Sequence, residues 1–89
     1  MYSCAIEKKE LSQDFPMSLI VYESYIDGKS KIFTMEPDGS GIKQLTKNDY
    51  NNHWPRWSPN AEKIIFVSDR DGNQEIYIMN RDGSKQRRI

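Results

Sequence analysis

Residues 20–45 and 64–89 are two copies of one pattern, and that repetition restricts the possible folds more than any other feature. Shifted by 44 residues without a gap, the two segments are identical at nine of 26 positions. These are Ile20/Ile64, Ser24/Ser68, Asp27/Asp71, Gly28/Gly72, Ile32/Ile76, Met35/Met79, Asp38/Asp82, Gly39/Gly83 and Ser40/Ser84. Average composition supplies about one or two by chance. Several other positions are like for like, as in Tyr22/Phe66, Phe33/Tyr77 and Leu45/Ile89. The second copy holds two apolar runs, 64–67 and 76–79, rich in Ile, Phe, Val and Tyr. Ser-Pro-Asn precedes them, Asp71-Gly72 separates them and Asp82-Gly83 follows. Such runs read as antiparallel strands joined by tight hairpins. Neither run alternates strictly with polar residues, so both strand faces are expected to be covered by sheets stacked on either side. A repeat of this length, built from short strands and Asp-Gly turns, marks a β-propeller blade.

The run PRWSPNAEKIIFVSDRDGNQEIYIMNRDGS resembles the TolB-type, WD-like β-propeller repeat. Blades of that family read P-x-W-S-P-D-G-x-K-I-x-F-x-S-D-R-D-G-x-x-x-I-Y-x-M-N-x-D-G. The likeness covers 55–89 well and 20–46 moderately. Asn60-Ala61 stands where the family has Asp-Gly, which predicts a looser turn there. Gln13-Asp14-Phe15 stands where the first copy needs Trp-Ser-Pro, which leaves its innermost strand without a regular sequence.

The chain therefore reads as all-β, about two four-stranded antiparallel propeller blades. Residues 1–18 form an irregular arm or a degenerate first strand. The first blade is 19–46, with strands at 19–24 and 31–36 and a short outer strand at 42–46. An inter-blade loop, 47–53, leads to the second blade, 54–89. Its strands are expected at 54–58, 63–68, 74–80 and 86–89. Ile89 aligns with Leu45, one residue before the Thr that closes the first unit, which suggests a truncated gene model or a domain fragment.

Eighty-nine residues bound a single small core. Thirteen basic side chains balance thirteen acidic ones, and the two halves differ too little to argue for a nucleic-acid or membrane partner. Lys85, Arg87 and Arg88 read as a solvated edge that resists edge-to-edge pairing. No segment is long and apolar enough to span a membrane, and no signal peptide is visible. Cys4, the only cysteine, rules out an internal disulfide. Ser3-Cys4 also resembles a lipoprotein cleavage site without its leader, although an ordinary exposed thiol is the stronger reading.

The segment from Asp69 to Glu75 superficially resembles a calcium loop. Its flanks are strands and its second carboxylate abuts the glycine, so a hairpin is the better reading. In that hairpin Asp71 bonds its own backbone and Gly72 supplies a positive φ. His53 is the sole histidine, which leaves no zinc site and no supported Ser-His-Asp or Cys-His pair. Neither a G-x-S-x-G elbow nor a Gly-rich phosphate loop is present. No catalytic residue, metal or cofactor is expected. Trp57 reads as core, whereas Trp54, bordering the polar loop, is open to either role.

Resemblance to the family implies a binding module of the periplasm or cell envelope, where its members bind peptidoglycan-associated lipoproteins. Without a visible signal peptide the cytoplasm stays open. The alternative is part of the propeller that gates a prolyl-oligopeptidase-like serine peptidase, whose blades look similar. Two stacked blades leave apolar faces open, so a homo-oligomer completing a ring of about four to eight blades is a second kind of partner. In a meander alternate connections share an end, which groups the turns 25–29 and 70–74 with the loop 47–53. Tyr50, His53, Trp54 and Arg70 are the candidate binding residues there, since Tyr and Arg are favoured anchors on loops held by a scaffold.

Overall fold

A computed structural model describes residues 19–89, and among these every regular element is a strand. The arm or degenerate strand expected at 1–18, with Cys4, lies outside the described residues. The first sheet joins β1 (Ile20–Ile26), β2 (Lys29–Met35) and β3 (Lys43–Gln44). β4 (Asn52–Trp57), β5 (Lys63–Ser68), β6 (Glu75–Asn80) and β7 (Arg87–Arg88) form the second. Both sheets are antiparallel meanders in which each strand bonds only to its neighbours in sequence.

Asp-Gly closes the two long hairpins differently. In the first copy Asp27 and Gly28 both take positive φ, 54° and 82°, and form a two-residue turn that matches the strand twist. In the second, only Gly72 is left-handed, and its N–H donates to the Asp69 carbonyl at 2.9 Å within a longer loop. Asp71 does not bond its own backbone as expected. Its carboxylate instead accepts from the Tyr77 hydroxyl and pairs with Arg88 at 3.5 Å. The later Asp-Gly-Ser turns are near copies. Asp38 Oδ1 accepts from Ser40 N–H and Oγ at 2.9 and 2.6 Å, and Asp82 Oδ1 accepts from Ser84 at the same distances. Those bonds hold both carboxyls below the usual range. The turn at Asn60-Ala61 is closed rather than loose. Ala61 accepts φ 60° where the family has glycine, and its N–H bonds the Ser58 carbonyl.

One core lies between the sheets. Val21, Ile32 and Leu45 of the first meet Trp57, Ile64, Phe66, Tyr77 and Met79 of the second. Across each hairpin an aromatic pair stacks: Tyr22 on Phe33 at 5.5 Å and Phe66 on Tyr77 at 5.8 Å. β3 is short because Thr46 takes over its pairing, accepting the Ile32 N–H on its own hydroxyl. The expectation that both faces of the second hairpin are covered is not met. Ile65 and Ile76 point away from the core into the open.

β4 begins two residues before the expected start and is interrupted by a bulge between His53 and Arg56. Pro55, buried there, has no N–H to give to β5, so the ladder must break at this point. The break turns Trp54 into the left-handed region, φ 55°.

Candidate functional site

The three loops expected to share an end are hydrogen-bonded to one another. Asn51 is their hub. Its side-chain carbonyl accepts the Ser30 N–H at 3.0 Å, while its own N–H and amide donate to the Asp69 carboxylate at 2.9 and 3.1 Å. These bonds, the backbone one foremost, hold Asp69 below the ordinary carboxylate range. Lys31 reaches into the same loop and donates to the carbonyls of Asn48 and, at 2.9 Å, Tyr50. Burial pulls its ammonium pKa down, against the opposing pull of Asp49. Lys29 donates to the Asp49 carbonyl at 3.0 Å, and Asn52, fully buried, donates to the carbonyl of Tyr50. The Tyr50 backbone is therefore fixed, while its ring is 45% exposed.

A clasp beside this loop holds β4 to β1. Glu23 Oε1 accepts the Trp54 N–H at 2.6 Å, and Glu23 Oε2 lies 3.4 Å from His53 Nδ1. Ser30 Oγ lies 3.1 Å from the same ring nitrogen. Ser, His and Glu side chains thus meet, but not as a catalytic triad. The hydroxyl lies nearer the nitrogen that the carboxylate approaches than the opposite one, which is 3.5 Å away, and Ser30 is fully buried, out of a substrate's reach. Stacked on His53 at 4.9 Å, Trp54 remains 55% exposed. Tyr25 and Ile26 are exposed at the neighbouring hairpin.

Arg70 sits differently from the other three candidates. Its side chain lies along the inward face of the second sheet, 4.4 Å above the Tyr77 ring centre. It donates to Ser68, Asn52 and Gln86. So engaged, it orders the buried side of the loop rather than projecting from it. His53 and Trp54 stack directly, while Tyr50 and Arg70 are linked to each other through Asn52. Glu23, Ser30 and Asn51 were not among the residues singled out by sequence, and no local signal marks them; Asp69 was weighed only as part of the calcium-like segment. Glu23 and Trp54 are 31 residues apart, so only the docking of the sheets shows the pair.

The carboxylates of the calcium-like segment are otherwise occupied, with Asp69 on Asn51 and with Asp71 and Glu75 on Arg88. Among the described residues no group of three or more His, Cys, Asp or Glu side chains could hold a metal ion. Among the same residues no helix is long and apolar enough to cross a membrane.

The family described as "TolB beta propeller domain" matches residues 17–89. The Tol-Pal system protein TolB of Wolbachia sp. subsp. Drosophila simulans (strain wRi) is 42% identical over 50 residues, 56% of this chain and 12% of that protein. Dipeptidyl-peptidase 5 of Porphyromonas gingivalis is 36% identical over 46 residues, 52% of this chain and 7% of that protein. Among solved structures, a putative TolB from Agrobacterium tumefaciens superposes with a TM-score of 0.75 at 31% identity, covering 80% of this chain and 26% of that one. The chain thus spans about an eighth or less of the length of these curated relatives.

Proposed function

Because this chain belongs to the TolB β-propeller family, we propose that it is a non-catalytic protein-binding module whose partner docks on the end formed by the loops 25–29, 47–53 and 70–74. Trp54 carries the reading. A bulky side chain held at positive φ costs about 1–3 kcal/mol, and such strain persists only where the surroundings impose it. Here Glu23 and the Pro55 bulge impose it, and the effect is to hold an indole in solvent. Tyr50 and Trp54 are the contacting residues in this reading, with His53 and Arg70 fixing them from behind. The relative named as a Tol-Pal system protein supports a partner of the peptidoglycan-associated lipoprotein class and a periplasmic or cell-envelope setting. Copies of the chain itself, completing a propeller ring, are a second kind of partner.

Trp54→Gly separates site from scaffold, because glycine adopts positive φ without strain. The variant should melt no lower than wild type while losing at least about tenfold in affinity, about 1.4 kcal/mol, for a purified peptidoglycan-associated lipoprotein. Tyr50→Ala should behave likewise. Loss of binding only on substitution of Asp38, Lys85 and Arg87, at the opposite end, moves the site there. The second reading, a propeller that gates a serine peptidase, is supported by the likeness to dipeptidyl-peptidase 5. A G-x-S-x-G domain downstream in the same gene decides for it.

A further inference from the structure

We propose that Asp27 is a modification site, at which isoaspartate forms through a succinimide closed between its side chain and the Gly28 nitrogen. The sequence holds four Asp-Gly dipeptides: Asp27-Gly28, Asp38-Gly39, Asp71-Gly72 and Asp82-Gly83. All four offer the same chemistry, because glycine places no Cβ beside the attacking nitrogen. Their surroundings separate them. In three of the four the attacking group is occupied. Gly39 N–H donates to the Glu36 carbonyl at 2.8 Å, Gly72 N–H to that of Asp69 at 2.9 Å, and Gly83 N–H to that of Asn80 at 2.8 Å. The attacked groups are occupied in the same three. Asp38 and Asp82 accept from Ser40 and Ser84, and Asp71 accepts from Tyr77 and pairs with Arg88. Asp27 and Gly28 are both exposed, and among the described residues neither the carboxyl nor the Gly28 N–H has a partner. The site does not depend on which partner the loop end takes.

The Gly28 nitrogen attacks Cγ of the protonated Asp27 carboxyl. An N–Cγ bond forms, and the amide proton leaves with the carboxyl hydroxyl as water, closing the imide ring. Water then adds back to one of the two imide carbonyls. Addition at Cγ restores aspartate. Addition at the Asp27 backbone carbonyl breaks its bond to the Gly28 nitrogen. The chain then runs through Cβ and Cγ, and the former carbonyl becomes a free carboxylate. The water released is the water consumed, so no oxidant or other co-reactant enters. The bonds that lower the Asp38 and Asp82 carboxyls also keep them ionised, which makes them poorer electrophiles. At Asp27 the product has a structural consequence. The turn holds two residues, at φ 54° and 82°, and its length sets the pairing of Ile26 with Lys29. One more main-chain carbon displaces that pair. Ser30, next along β2, donates its N–H to Asn51, so the displacement reaches the loop cluster.

Prolonged incubation of the 89-residue chain at neutral pH, folded and unfolded in guanidinium chloride, tests this. Peptide mapping with an aspartate-specific endoproteinase, which does not cut at isoaspartate, locates each modified residue. Methyl transfer from labelled S-adenosylmethionine by an isoaspartyl methyltransferase measures the total. In the folded chain Asp27 should isomerise at least about tenfold faster than each of the other three, which must first break hydrogen bonds on both reacting groups. In the unfolded chain all four should react at similar rates. D27E, whose longer side chain disfavours ring closure, should remove most methyl acceptance from the folded chain and a minor part from the unfolded one. Circular dichroism checks that this variant folds, and the contrast between folded and unfolded wild type decides without it. Faster modification at Asp38, Asp71 or Asp82 in the folded chain overturns the proposal. So does the same pattern in both states, or a folded chain that gains no isoaspartate at Asp27 while the unfolded one does.

Discussion

Asn51 links the two repeats through one carboxamide and one peptide unit, and its partner Asp69 makes the link sensitive to pH. In the unfolded chain the donors on Asp69 are gone, and its carboxyl titrates near the ordinary value of about 3.9. The folded form takes up the proton less readily. The stability it contributes is therefore complete above about pH 5 and is lost as pH falls through the folded value. Asp69→Asn should cost about 1 kcal/mol at neutral pH, and its urea midpoint should converge with that of wild type on acidification. A difference independent of pH excludes the charged carboxylate as the cause. Little of this cluster was legible beforehand. Tyr50, His53 and Trp54 were found as aromatic and titratable residues beside a polar loop. The conformation of Trp54 was not, because it depends on Glu23, a residue that sequence reads as an ordinary strand carboxylate.

At the level of strands, the paired aromatics set the energetics. Phe66 is fully buried and stacks on Tyr77, which is buried and bonded to Asp71. Phe66→Ala should cost about 3–5 kcal/mol, comparable with the whole stability of so small a domain. Thermal unfolding followed by near-ultraviolet circular dichroism measures it, and an unmoved midpoint shows that the ring is not core. Strand positions were legible because apolar runs bounded by Asp-Gly determine them, and 63–68 was expected where β5 lies. Turn geometry was legible only in part. Asp27-Gly28 and Asp71-Gly72 are the same dipeptide, yet they close loops of different length. The second copy adds Arg70, which packs on the aromatic pair where the first has Ile26. Coverage of the faces was misjudged for a related reason. An unbroken apolar run states that both sides suit a dry contact, not that this chain supplies both.

For the molecule as a whole, the large exposed apolar side chains among the described residues fall into two sets. Tyr25, Ile26, Tyr50 and Trp54 lie at the loop end, while Ile42, Ile65, Ile76 and Ile89 are exposed away from it. If association covers the second set, the melting temperature rises with protein concentration, since a partner that binds only the folded form stabilises it by mass action. Calorimetry over a hundredfold dilution series measures that dependence, and a constant midpoint excludes it. The strand order carries a further consequence, one of rate. Each ladder forms between segments adjacent along the chain, so every hairpin closes a short loop before any distant residues must meet. Folding then consists of quick local closures followed by one slow collision, in which Glu23 finds Trp54 and the two sheets dock.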